Sequence, residues 1–190
     1  MLEGLLDFDS KAFVFLNGLG SEEFDGIWML VTKQISWLPM FILVFYLTYK
    51  KIGLKNFLIA ISLLAILILY TDQMTNVFKN SIQRLRPCNT PNIKDSIRII
   101  IHRDSFSFFS GHASNSMAST VFIYLIIRKY FKHTYLLFLF PLFFAYSRIY
   151  LGLHFPLDII SGFLFGIING SIFYLLYKKV LTISYNKTFN

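Results

Sequence analysis

The chain has 190 residues, 55% of them of apolar type, with 22 Phe and a mean hydropathy of +0.58. That composition excludes an ordinary water-soluble domain, and the length suggests one domain over residues 1–190. The formal charge of +8 on so apolar a chain points to lipid headgroups and insertion rather than to nucleic acid, and the single Cys88 excludes an intrachain disulfide.

Residues 1–20 place Leu2, Leu5, Leu6, Phe8, Ala12, Phe13, Leu16 and Leu19 at roughly helical spacing, with Glu3, Asp7, Ser10 and Asn17 mostly elsewhere. The pattern predicts an amphipathic helix lying at the membrane interface, or packed on a bundle. The acidic start lacks a basic segment before an apolar core, so no cleavable signal is expected. An apolar run from Ile27 to Tyr49 follows, with Pro39 as the expected kink, and a second runs from Phe57 to Phe78. The polar segment Lys79–Ser110 separates these from three more runs, His112–Ile127, Tyr135–Leu151 and Leu157–Tyr177. A membrane helix needs about 20 mainly apolar residues. The fold expected is an all-α integral-membrane helical bundle with five spans, or six if the first segment inserts. Gly162, Gly166 and Gly170 repeat at four-residue spacing, which predicts close helix packing inside the bundle ahead of a dimer interface. No feature sets an oligomeric state.

Alternating spans put Lys50, Lys51, Lys55, Arg128, Lys129, Lys132, Lys178, Lys179 and Lys187 on one side, without a single acid. The other nine basic residues and all ten acids fall on the opposite side. Lys and Arg therefore tie, but several on the second side belong to the clusters described next. Discounting those places the first side in the cytoplasm and the Lys79–Ser110 segment outside.

Three clusters share that outer face. Lys79 is followed after six residues by Arg86-Pro87. A lysine ending a span often only snorkels, whereas Arg86 offers a planar, permanently charged fork suited to phosphate oxygens. Next, Ser110-Gly111-His112 opens the third span. Unpaired amides at a helix start bind anions, although Ser110 also reads as a simple N-cap. The third cluster is Ser147-Arg148, then His154 after five residues and Asp158 after three more. Pro156 suits the first turn of the last helix, so His154 stands just outside it and Asp158 inside its first turn. Asp158 either complements the helix start or keeps one imidazole nitrogen protonated, leaving the other free to attack. Arg148 at the end of a span is costly without an anionic partner. Lysine, arginines, two histidines and a helix start describe a phosphate site, without the carboxylate or cysteine sets of common metal centres.

The combined pattern resembles the type 2 phosphatidic acid phosphatase superfamily, whose motifs run Lys-x6-Arg-Pro, Pro-Ser-Gly-His and Ser-Arg-x5-His-x3-Asp. The first and third match in full; the second has Phe109 where the family has Pro. The motifs cover residues 79–158. The resemblance implies that His154 attacks phosphorus to form a phosphohistidine, oriented by Asp158, while His112 protonates the leaving oxygen. It implies that Lys79, Arg86, Ser110, Gly111 and Arg148 hold the phosphate oxygens, with no cofactor and no metal. His112 at a helix start is expected to carry its proton mainly with the phosphate dianion bound.

The expected activity is metal-independent hydrolysis of a lipid phosphate or diphosphate at the outer face of a bacterial cytoplasmic membrane. Undecaprenyl diphosphate comes first among the expected substrates, then phosphatidylglycerol phosphate, phosphatidate and the lipid A 1-phosphate. Two alternatives stand beside it. One is a lipid phosphotransferase using the same intermediate. The other is a non-catalytic membrane protein or transporter lined by basic residues.

Overall fold

A computed structural model of the chain describes residues 2–186; Met1 and residues 187–190, with Lys187 of the basic side, lie outside it. Among the described residues six α-helices carry the fold: α1 (Leu2–Gly18), α2 (Glu22–Val31), α3 (Leu38–Ile82), α4 (Gly111–Ile127), α5 (Leu139–Tyr150) and α6 (Pro156–Asn186). Short 3₁₀ turns at Gln34–Trp37, Pro87–Asn89, Lys94–Ser96 and Thr134–Phe138 join them, and the described residues contain no strand.

The expected first run, Ile27–Tyr49, is interrupted. Helix α2 ends at Val31, the chain bends through Thr32 and Lys33, and α3 starts at Leu38. Pro39 therefore sits in the first turn of α3, where a missing N–H breaks no helical bond, and it makes no kink. The break lies instead at Gly53, whose φ of 76° is open to glycine and strained for other residues. There the chain turns back, so Phe41 and Phe45 of the first arm line the same cavity as Leu64 and Ile68 of the second.

Among the described residues two segments are long and apolar enough to cross a membrane, Gln34–Asn89 and Pro156–Ser184, with mean hydropathies of 2.4 and 1.9 over their best windows. Most of each lies outside the protein's own core, and Ile42, Leu58, Leu69, Leu164, Ile168 and Leu175 are all exposed. In hydrocarbon such residues need no cover. The core sits around α4, where Ala118, Phe122, Ile123 and Ile126 pack against Ala60, Leu64 and Leu67 of α3 and Tyr177 of α6.

Helices α4 and α6 meet along the glycine stripe. A β-carbon at Gly162 would fall 2.8 Å from the Ser110 carbonyl oxygen, and one at Gly166 would fall 2.7 Å from that of Ser114. Backbone approach of this kind is what small residues at four-residue spacing permit. It fixes the start of α4 beside the start of α6, the two helix ends that carry the second and third motifs.

Helix α1 turns two of its polar residues, Asp9 and Asn17, inward, while Glu3, Asp7 and Lys11 stay exposed. Asp9, Phe13 and Asn17, spaced by four, are at most 1% exposed, whereas Leu5, Phe8, Phe15 and Leu19 are exposed. Asn17 was expected off the buried face. Its side-chain amide instead donates to the carbonyls of Arg98, Ile149 and Tyr150 and accepts from the Arg98 amide. Ile149 and Tyr150 end α5, so Asn17 satisfies carbonyls that have no partner within the helix.

Candidate active site

Helix α3 stops because Gln83 adopts the left-handed conformation, its amide closing on the Lys79 carbonyl at 2.9 Å. Lys79 is thereby held in the last helical turn, and the chain runs on past Arg84 to an extended Arg86 and into Pro87. The far end of the long loop returns to pin this stretch. Ser107 donates its amide to the Arg84 carbonyl at 2.8 Å, and Ser105 receives Arg86 through both its carbonyl (2.7 Å) and its hydroxyl (3.0 Å).

Arg86 is 3% exposed, and its Nη1 donates to the Leu153 carbonyl at 2.9 Å and meets His154 Nε2 at 3.0 Å. A guanidinium has donors only, so the lone pair lies on Nε2 and the proton on Nδ1. Nδ1 in turn faces Asp158 Oδ2 at 3.4 Å. His154 is 2% exposed, and burial first, then the charges of Arg86, Arg148 and Lys79, hold it well below the usual imidazole range. The ring is thereby held in its neutral form, with its Nε2 lone pair turned to Arg86.

The backbone of this turn follows from helix ends. The Arg148 carbonyl, near the end of α5, accepts the amides of Leu153 and His154, and Pro156 starts α6. Asp158 Oδ2 takes the Phe155 amide at 2.9 Å, so the carboxylate caps its own helix while facing the imidazole. The helix-start reading of Asp158 is met, and the same oxygen lies beside His154 Nδ1.

Ser110 caps α4 by accepting from the Ala113 amide, and its own amide donates to the Asp158 carbonyl at 3.0 Å. The second and third motifs are thus joined by backbone. A β-carbon at Gly111 would meet only Thr75 Cγ2, at an ordinary 3.4 Å, so packing does not demand glycine there. The His112 ring stacks on Phe144, centroids 4.6 Å apart. Phe109, in the family's proline position, is 3% exposed and packs on Phe78 and Phe165, so a buried aromatic anchors the loop.

Arg148 is 3% exposed. Its Nη1 donates to Thr32 Oγ1 at 2.6 Å, and its Nε is buried without a partner among the described residues. A buried N–H of this kind suits an anion. Lys79 lies within electrostatic reach of Arg86, Arg148 and Asp158, and His112 within reach of Arg148, His154, Arg103 and Lys79. All three motifs therefore converge on one strongly positive site.

Four contributors escaped the sequence reading. Thr32 is a lone hydroxyl before a span, Arg103 and Ser105 lie in a loop without periodicity, and Arg84 stands two residues before a motif arginine. Only Arg84 carried a usable signal, since residues i and i+2 of an extended segment share a face.

The PAP2 superfamily model matches residues 57–181, well over half of the chain. The chain belongs to the PAP2 superfamily. A lipid A 4′-phosphatase of Bacteroides thetaiotaomicron is 33% identical over 95% of this chain and 81% of its own length. Another from Porphyromonas gingivalis is 31% identical over 93% and 75%. A phosphatidylglycerophosphatase B of Bacillus subtilis is 33% identical over 56% of this chain and 53% of its own length. Among solved structures, the PAP2-type phosphatidylglycerolphosphate phosphatase of Bacillus subtilis superposes with a TM-score of 0.67 at 20% identity, covering 93% of this chain and 86% of its own. Aquifex aeolicus LpxE gives 0.61 at 23%, covering 86% and 92%. These likenesses establish an all-helical PAP2 fold, and the chain is a phosphatase of this superfamily.

Proposed function

We propose that this PAP2 enzyme removes a phosphate monoester from a glycolipid of the lipid A class, through a phosphohistidine on His154 and without a metal ion. The observation that carries the mechanism is the His154 ring, with Nε2 capped by Arg86 and Nδ1 turned to Asp158. On binding, Arg86 Nη1 passes from Nε2 to a phosphate oxygen, and Arg148 Nε, Lys79, the Ser110 hydroxyl and the Gly111 amide take the others. Nε2 forms a bond to phosphorus as the bond to the lipid oxygen breaks, and His112 gives that oxygen its proton. Water then attacks the phosphohistidine, returning a proton to His112 and releasing inorganic phosphate. Donors fixed where charge develops supply most of the rate. The buried carboxylates of Asp9 and Asp158 are both engaged by Arg84, which supports a reading without metal.

The lipid part is supported by a cavity of about 260 Å³ lined by Phe41, Phe45, Ile68, Ile123, Phe140 and Phe144. Phe144 also carries the His112 ring, and Ser116, another wall residue, donates to the His112 carbonyl. Hydrocarbon next to the phosphate site has an apolar place to lie. The two relatives matching more than nine-tenths of this chain are lipid A 4′-phosphatases, which moves a lipid A phosphate ahead of undecaprenyl diphosphate as first choice. The chain is read as a single membrane domain with five spans: the two arms of α3, then α4, α5 and α6. Helix α1, at 17 residues, lies at the interface. The basic side faces the cytoplasm, and the site opens on the outer face of the cytoplasmic membrane.

The test is phosphate release, in EDTA, from a panel of lipid A, phosphatidylglycerol phosphate, phosphatidate and undecaprenyl diphosphate. The expected result is EDTA-tolerant turnover with the highest kcat/KM on lipid A. Activity abolished by EDTA and restored by magnesium, or kcat/KM about tenfold higher on another lipid, a difference of about 1.4 kcal/mol in transition-state binding, contradicts it.

A further inference from the structure

Arg84 falls between the two basic residues of the first motif and belongs to neither position. Its Nη1 donates to Asp158 Oδ1 at 2.8 Å and its Nη2 to Asp9 Oδ2 at 2.6 Å, while its guanidinium lies 4.0 Å over the Phe155 ring. Asp9 commits its other oxygen to the Leu157 amide at 2.9 Å, on the first turn of α6. Asp158 commits its second oxygen to the Phe155 amide and turns it to His154 Nδ1. A continuous line, Asp9–Arg84–Asp158–His154, buried except at the partly exposed Arg84, therefore joins the first helix to the imidazole.

Every oxygen of both carboxylates accepts from an arginine N–H or a backbone amide. A donor on every oxygen is the environment of a charged carboxylate, and both read as ionised. The triad of two carboxylates and one guanidinium carries a net charge of −1. As Nε2 bonds to phosphorus and the lipid oxygen departs, the ring keeps its Nδ1 proton and gains a positive charge. That charge appears beside a preformed, largely buried cluster of opposite sign, where electrostatic interactions are stronger than in water. Removing the Asp9 charge leaves a neutral Arg84–Asp158 pair and an unmatched phosphoimidazolium.

We propose that Asp9 and Arg84 are positioning residues of this enzyme: they aim the Asp158 carboxylate at His154 and give the cluster the net negative charge that the phosphorylated ring needs. This rests on the reading of His154 as nucleophile. Neither residue touches the substrate, so the effect belongs to kcat rather than to KM.

The test is steady-state kinetics of the purified full chain in lipid nanodiscs, with the best lipid phosphate of the panel. The variants are Asp9→Asn, Arg84→Lys, Arg84→Met, Asp158→Asn, Asp9→Asn with Asp158→Asn, and His154→Ala, each with a thermal melt. Asp9→Asn, nearly isosteric, is expected to lower kcat by about 10- to 100-fold with KM within about threefold of wild type. Arg84→Met is expected to lose more kcat, and Arg84→Lys to recover part of it. In the Asp158→Asn background, Asp9→Asn should change kcat by less than about threefold, because its route to the ring is already cut. An unchanged kcat for Asp9→Asn, or a loss that multiplies fully with Asp158→Asn, overturns the proposal while leaving the nucleophile standing. A melt that falls with kcat intact assigns Asp9 to stability alone and also overturns it. Turnover retained in His154→Ala removes the underlying reading and the proposal with it.

Discussion

Replacing His154 by Ala is expected to lower kcat by about four orders of magnitude or more, the scale seen when a covalent nucleophile is removed from a site whose other parts remain. Neither Asp158 nor Ser110 can substitute for it. Asp158 is fully buried behind the ring and committed to Arg84 and the Phe155 amide, and Ser110 is buried as the cap of α4. The cationic cradle survives in the variant, since Arg86 keeps its bonds to Ser105 and to the Leu153 carbonyl. Binding of orthovanadate or orthophosphate should therefore persist while turnover disappears, which separates loss of chemistry from loss of fold. The measurement is kcat at saturating lipid together with phosphate-analogue affinity by calorimetry. More than about one per cent of wild-type kcat in the variant contradicts nucleophilic attack by this ring.

The second large effect is expected at Arg86. Arg86→Lys keeps the charge but replaces a rigid fork by one ammonium, which cannot reach Ser105 and His154 Nε2 while also holding the Leu153 carbonyl. Losing one preorganised donor to developing charge typically costs about 10²–10³ in kcat, and that range is expected here. KM should rise less than kcat falls, because Lys79 and Arg148 still attract the phosphate. A variant with kcat within about threefold of wild type would mean that Arg86 serves only to tie the loop at Ser105 to the last turn.

The sequence carried much of this site because phosphate chemistry constrains residue type and spacing together. Arg86, His154 and Asp158 are brought into direct contact as their motif order implies, and the pairing of Ser110 with the Asp158 backbone joins the remaining motif to them. Less was legible where tertiary contacts override local pattern. Asp9 and Asn17 look like the water-facing residues of an amphipathic helix, yet they point inward, since in a membrane the apolar face of such a helix can turn outward and leave polar groups for the protein. Pro39 suggested a kink, but proline in a first turn is harmless, while the turn-back at Gly53 needed only a backbone freedom that no side-chain pattern reveals. Arg84 was hidden by its neighbour: motif spacing counts Arg86 and passes over an arginine two residues earlier. Thr32 contacts Arg148 across 116 positions, a separation at which periodicity has nothing to say.

The phosphohistidine itself is the most direct measurement. Enzyme mixed with lipid carrying a labelled phosphate and quenched in alkali within the first turnover should hold acid-labile, alkali-stable label on the peptide containing His154. The same label should be absent from His154→Ala. Label on a different residue, or a wild-type first turnover that releases phosphate while the enzyme carries none, would contradict covalent catalysis by His154.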